Sequence, residues 1–407
     1  MAAIVVLVTG CTDADPGGVV ESSASPGATG ESGAIRIGAS PAEAAALADV
    51  VPTCVEKSGI EIELVPSTEE EIRSVLRGEA AAAATLDIAV TSSSAIGDLV
   101  AAERLASLET ISQDAFAGVG SAAMSHAGRA YGVPLTLSTV VMVRNTDLAL
   151  QAPHDFAELV AIGDAAVAGV AADYPLLVGL DGGGGAARVL HPLQSSFSAP
   201  AFPTAPDGSL DGARPLFGGA QGEAFAIALR DWSARGLVIA NVTGAIARDE
   251  FLAGKAPFLI TTTETAAEVV DSGLPIAVEP VPTAGGAASI ALVDVRGMVI
   301  PASSDRAEDA IAVIGPCFAA PRAQAALAAS TGSTPAALAA IEQTSTTPTR
   351  AALSAIAVAG VALPAVAGID DAVGLWGEAL LEIIGGGTDP VARWRALVGE
   401  VELALSP

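Results

Sequence analysis

Between Ala34 and Leu105 the chain switches repeatedly between two hydrophobic periods, which restricts it to folds that interleave strands with helices. Ala34-Ile-Arg-Ile-Gly38 and Ile60-Glu-Ile-Glu-Leu-Val65 read as strands, and Leu86-Asp-Ile-Ala-Val90 is a short apolar strand. Helical spacing runs over Pro41–Lys57, where Ser58-Gly59 stops it, over Thr68–Gly78, and again over Ala95–Leu105. Thr68 and Glu71 have the spacing of a capping box. This β-α-β-α-β-α order predicts an α/β fold with a mainly parallel sheet covered by helices on both faces.

Further along, Tyr131–Asn145 reads as a strand pair interrupted by Ser138 and Thr139. Helices are predicted over 155–168 and 222–235 with a strand at Leu176–Leu180 between them, then a strand entered at Pro257, a helix from Asp305, and Ala-rich helices to the end. A chain of 407 residues exceeds what one core normally supports, so two or three lobes are expected.

Charge excludes one class of partner. Asp and Glu number 46 against 19 Lys and Arg, only Lys57 and Lys255 are lysines, and no basic stripe is present to follow a phosphate backbone, so nucleic acid is not a partner. The chain has no GxSxG, HExxH or CxxC pattern, and His126, His154 and His191 stand apart in sequence with no acid or nucleophile arranged beside them. A binding protein without catalytic residues, metal or cofactor is expected.

Ala2–Val8 is apolar but too short to span a membrane. With Leu7-Val8-Thr9-Gly10-Cys11 it resembles the lipobox of bacterial lipoproteins, which implies a signal segment over 1–10 and a diacylated Cys11. Residues 11–33 have the Ser, Gly, Pro and acidic composition of a flexible linker. The expected location is therefore extracytoplasmic, on the outer face of the cell membrane. Cysteines persist as disulfides there, so Cys54 and Cys317 form a candidate bridge, with two buried thiols as the alternative.

From Ala34 onward the chain resembles the maltose-binding (family 1) type of bacterial extracellular solute-binding proteins. Four segments carry the likeness: Glu56-Lys-Ser-Gly-Ile-Glu-Ile62; Leu86-Asp-Ile-Ala-Val90; Tyr131-Gly-Val-Pro134 with Arg144-Asn-Thr-Asp-Leu148; and Phe251-Leu-Ala-Gly-Lys-Ala-Pro-Phe258. The resemblance implies a two-lobed periplasmic-binding-protein type II fold with an interlobe cleft. Its lobes would comprise 34–137 with 293–343, and 142–289 with 348–407, placing Cys54 and Cys317 on helices of one lobe. It further implies a monomeric, lipid-anchored component of an ABC importer that closes on a small polar solute, most naturally a sugar or polyol, and delivers it to membrane permease subunits. A surface-anchored hydrolase and a non-transporting receptor module are the alternatives.

Candidate ligand contacts follow from polar residues at strand ends. Ser92 and Ser93 lie in Thr91-Ser-Ser-Ser94, where capping by Ser94 is the alternative role. Ser138 and Thr139 sit at the implied lobe crossover, where a bond to backbone would also account for them. Asp181 opens a glycine run, 182–185, that also reads as a plain turn. Thr262 and Glu264 follow a strand, although Glu264 also suits the first turn of a helix. Arg296 and Trp376 complete the set by resemblance, Trp376 as a stacking ring, while Trp232 and Trp394 read as core.

Overall fold

The computed structural model describes residues 33–79, 85–203, 210, 212 and 214–406. The chain divides into two units, Met1–Gly33 and Ala34–Pro407, and every element below belongs to the second. Cys11, the signal segment 1–10 and the linker up to residue 32 lie outside the described residues.

The strands, in chain order, are β1 (Ile35–Ala39), β2 (Ile62–Pro66), β3 (Ile88–Ser92), β4 (Ser125–His126), β5 (Arg129–Ala130), β6 (Gly132–Ser138), β7 (Val140–Asn145), β8 (Leu177–Val178), β9 (Phe258–Thr262), β10 (Ile276–Glu279), β11 (Leu292–Val299), β12 (Thr334–Pro335) and β13 (Val361–Ala362). They form two main sheets. The first runs β12-β6-β11-β3-β1-β2 with β13 beside β11, and the second runs β10-β7-β9-β8. β4 and β5 form a separate hairpin.

The expected parallel sheet exists, but only in part. β1 pairs in parallel with β2 and β3, aligning Ile37 with Leu64 and Ile88. β11 then lies antiparallel to both β3 and β6. In the second sheet only β8 and β9 are parallel. The reason is topological: β6 carries the chain towards the second sheet and β11 returns it, so the returning strand runs opposite to its neighbours.

Local signals explain the element ends. Thr68 Oγ1 accepts from Glu71 N at 3.3 Å and Glu71 Oε2 accepts from Thr68 N at 2.7 Å, the predicted reciprocal cap of helix Glu69–Arg77. The helix expected over 41–57 divides into Pro41–Ala48 and Val51–Ser58. Pro52 has no N–H to give the carbonyl one turn earlier, and it sits where a helix start tolerates that loss.

One core packs around the first sheet, centred on Ile37, Val90, Val295 and Phe318. The second sheet is flanked by two clusters, one containing Phe225, Trp376 and Trp394 and the other Val141, Phe251 and Leu259. The nine Phe, three Trp and two Tyr all lie in or against these cores.

The sheets are joined at a very short crossing. Thr139 alone separates β6 from β7. Its N–H donates to Thr263 Oγ1 at 3.1 Å, its carbonyl accepts from Thr263 N at 2.8 Å, and its hydroxyl donates to the Leu292 carbonyl at 2.8 Å. Thr139 thus holds the outgoing strand, the start of helix Thr263–Asp271 and the returning strand at one point.

Candidate functional site

The carboxyl ends of strands from both sheets meet around Asp294. This residue lies on β11, opposite Ser138 in the β6 register. Its Oδ1 accepts from Ser92 Oγ, at the end of β3, at 2.7 Å. From the second core, helix Gly184–Ser195 brings Arg188 Nη1 to 2.9 Å from the same oxygen. Both charged side chains are about three-quarters covered, with 23% and 26% of their surface exposed. Burial alone would raise Asp294, but the Arg188 charge and the hydrogen bonds from Ser92 and Arg188 outweigh it and hold the carboxyl below its ordinary range. Asp294 in turn raises the Arg188 guanidinium.

Glu264 joins this cluster from the first turn of helix Thr263–Asp271, directly after β9. Burial raises its carboxyl above the usual range, the neighbouring Asp294 charge adds to that, and hydrogen bonds from Ser138 and Thr262 oppose it. A carboxyl beside the Ser138 and Thr262 hydroxyls offers hydrogen-bonding groups suited to polar groups on a solute.

A second polar run adjoins the first. Arg296 donates from Nε and Nη2 to Glu43 at 2.8 and 2.9 Å, a two-pronged pair in which the Glu43 side chain is only 5% exposed. Its Nη1 pairs with Glu69. Glu69 also accepts from Thr91 Oγ1 at 2.7 Å and from Arg73 Nε at 2.9 Å. Burial opposes ionisation of Glu69, yet Arg296, Arg73 and Thr91 together lower it. Arg73 then pairs with Asp370 in the first turn of helix Ile369–Gly385, which belongs to the second core, and its Nη2 lies 3.2 Å from Ser94 Oγ. Nearby, Asp98 Oδ1 accepts from Gly368 N at 2.9 Å. Two ion pairs and one backbone bond therefore link the two halves of the site.

Close backbone contact accompanies these links. A Cβ on Gly97 would stand 2.3 Å from the Val366 carbonyl carbon, and one on Gly377 only 1.7 Å from the Gly183 oxygen. Only glycine fits either place.

Of the residues singled out from sequence, Ser92, Ser138, Thr262 and Glu264 come together. Ser93 Oγ lies next to them and accepts from Val295 N at 3.4 Å. Thr139 is at the crossing, and Arg296 is occupied by Glu43 and Glu69. Asp181 is exposed beyond the end of β8, and its Oδ1 accepts from Gly244 N at 3.0 Å. Trp376 is a correction. Its ring is 1% exposed, meets Phe217 and His191 edge-on, and donates to Gln194 Oε1 at 2.9 Å, so it presents no stacking face to a solute. Its neighbour His191 is also committed. The ring bridges the Ile290 carbonyl and Ala201 N–H, and burial lowers it to about 4. Cys54 and Cys317 are free, buried thiols.

Sequence reasoning missed Glu43, Glu69, Arg73, Arg188, Asp294 and Asp370. The only local signals are Glu43 in the capping box of its helix and the i,i+4 spacing of Glu69 and Arg73. Among the described residues, no group of His, Cys, Asp and Glu could hold a metal ion. A cavity of about 800 Å³ opens between Gly118–Gly128 and Gly360–Val366, lined by His126, Leu210, Val361 and Pro364 among others. It touches the site region through Val366, the partner of Gly97.

The family model described as bacterial extracellular solute-binding protein matches residues 50–355. The maltotriose-binding protein of Thermus thermophilus, solved with maltotriose, superposes with a TM-score of 0.74 at 20% identity, covering 91% of this chain and 100% of that one. A cyclo/maltodextrin-binding protein solved with maltotetraose superposes with a TM-score of 0.77 at 17% identity, covering 92% and 98%. At such identities the likeness establishes the two-lobed type II binding-protein fold. No curated protein matches the chain in sequence.

Proposed function

Because the chain belongs to the bacterial extracellular solute-binding proteins, we propose that it captures a small polyhydroxylated solute between its two lobes and delivers it to the permease of an ABC importer. The observation that carries this reading is the polar cluster in which Ser92 and Asp294 from one sheet meet Arg188 and Glu264 from the elements around the other. A solute bound there touches both lobes at once, and a ligand shifts an open–closed equilibrium by its differential affinity for the two forms.

Ser138, Thr262 and Glu264 are the proposed hydroxyl-recognising groups, with Ser92 and Asp294 opposite. The sugars named in the two structural relatives favour a carbohydrate. With every aromatic ring committed to a core, a compact sugar or polyol held by hydrogen bonds fits better than a long oligosaccharide held by stacking. The proposed lobes are 34–137 with 293–343 and 142–289 with 348–407, and β13 lets the later segment return briefly to the first sheet. The family is extracytoplasmic and its members are binding proteins. A lipid anchor at Cys11 and a monomeric state complete the proposal.

A second reading places the solute in the cavity beside Val366, whose volume of about 800 Å³ lies within the ~300–1,000 Å³ typical of small-molecule sites. One experiment separates the two. A thermal-shift screen of monosaccharides, disaccharides and polyols, followed by small-angle scattering on each hit, should show a raised Tm and compaction. Glu264→Ala should abolish both. Binding that survives Glu264→Ala supports the cavity, and a screen in which no solute shifts Tm overturns the function.

A further inference from the structure

Cys54 lies on helix Val51–Ser58 and Cys317 in the π-helical turn Ile314–Phe318, and these two elements pack together in the first core. The two residues are 1% and 3% exposed. Burial, then the adjoining Cys317 thiol, pushes the Cys54 thiol up to about 12, although Lys57 acts the other way. Two buried thiols on elements that pack together, from distant parts of the sequence, are placed to react with each other.

We propose that Cys54 and Cys317, free thiols in this structure, are joined as a disulfide once the protein is exported. This goes beyond solute binding and relies only on the extracytoplasmic place of the family, where disulfides persist. The bond must form while the segments are still exposed and their thiols have ordinary acidity. A disulfide-bearing oxidant, either a thiol oxidoreductase or a small disulfide, is attacked by the first thiolate, giving a mixed disulfide and expelling one oxidant thiolate. The second cysteine then attacks the protein sulfur of that mixed disulfide and releases the oxidant's other sulfur as a thiolate. Two electrons pass to the oxidant, and the two protons lost by the cysteines leave it as a dithiol or a thiol pair. The bridge ties a helix to a turn within one core and leaves the crossing at Thr139 untouched, so it strengthens a lobe without restraining closure.

The test uses the full chain exported into an oxidising compartment. Denaturation and alkylation with iodoacetamide before any reductant, then proteolysis and mass mapping, should give the Cys54 peptide linked to the Cys317 peptide, separable by reductant. Alkylated Cys54 and Cys317, or a link from either to Cys11 or to a second chain, overturns the proposal. Reduction in mild denaturant followed by refolding should lower Tm by several degrees and leave solute-induced compaction in place. Cys54→Ala should show one Tm with and without reductant. A wild-type Tm that reduction does not move also overturns it.

Discussion

Arg188 Nη1 lies 2.9 Å from Asp294 Oδ1, and the two side chains grow from different cores. Asp294 stands on the strand that returns to the first sheet, whereas Arg188 belongs to a helix packed on the second. The pair is therefore both a local charge balance and a clasp between the two cores. The Arg73–Asp370 pair repeats the arrangement with the polarity reversed, the arginine now on a helix of the first core.

Arg188→Ala should open the clasp. Side chains that are about three-quarters covered place the loss between that of an exposed pair and that of a buried one, about 1–3 kcal/mol. A lower Tm and a larger radius of gyration without solute are expected. A variant with unchanged scattering would show that the pair does not hold the lobes together.

Gly97→Ala should act at the same seam by steric means. The added methyl carbon would meet Val366 backbone at 2.3 Å, which side-chain motion cannot relieve. A destabilisation of about 1–3 kcal/mol and weaker solute binding are expected. Titration calorimetry and thermal melts would read both, and wild-type affinity in the variant would contradict the contact.

Glu264 gives a pH signature with a definite sign. Its carboxyl is raised in the fold, so its favourable contribution is complete below the ordinary value of 4.5 and is lost as pH rises through the raised one. Glu264→Gln, always neutral, should melt higher than wild type at about pH 8 and match it near pH 4. The opposite trend would mean that the carboxylate is stabilised where it lies. Solute affinity should fall in the same variant at either pH.

His191 has the reverse dependence. A base lowered from 6.5 to about 4 favours its neutral form in the fold, so the stability it lends is full above 6.5 and lost as pH falls towards 4. The shift corresponds to about 3 kcal/mol across that window. His191→Gln keeps a donor and an acceptor and should flatten the Tm-against-pH curve there. Parallel curves for variant and wild type would refute the assignment.

The fold was largely legible because its signals are local. Alternation in Ile60–Val65, the Thr68–Glu71 cap and the small polar break at Ser138-Thr139 each lie within a few residues of the structure they specify. The hydroxyls of Ser92, Ser138 and Thr262 are legible as strand-end groups for the same reason. Arg188 and Asp294 were not, because nothing near either residue names its partner across the chain, and Trp376 was misread because ring burial depends on His191 and Phe217 arriving from elsewhere. The antiparallel β11 escaped similarly, since strand direction follows from the route of the chain between sheets.

A connection of one residue has a reach of only ~3.5 Å, so Thr139 leaves the chain almost no slack between β6 and β7. The two sheets cannot part at that point without breaking the Thr139 bonds to Thr263 and Leu292. Ser138 on one side of the crossing and Thr262 with Thr263 on the other are therefore held at a fixed spacing. The proposed solute would thus meet a patch already assembled before it arrives.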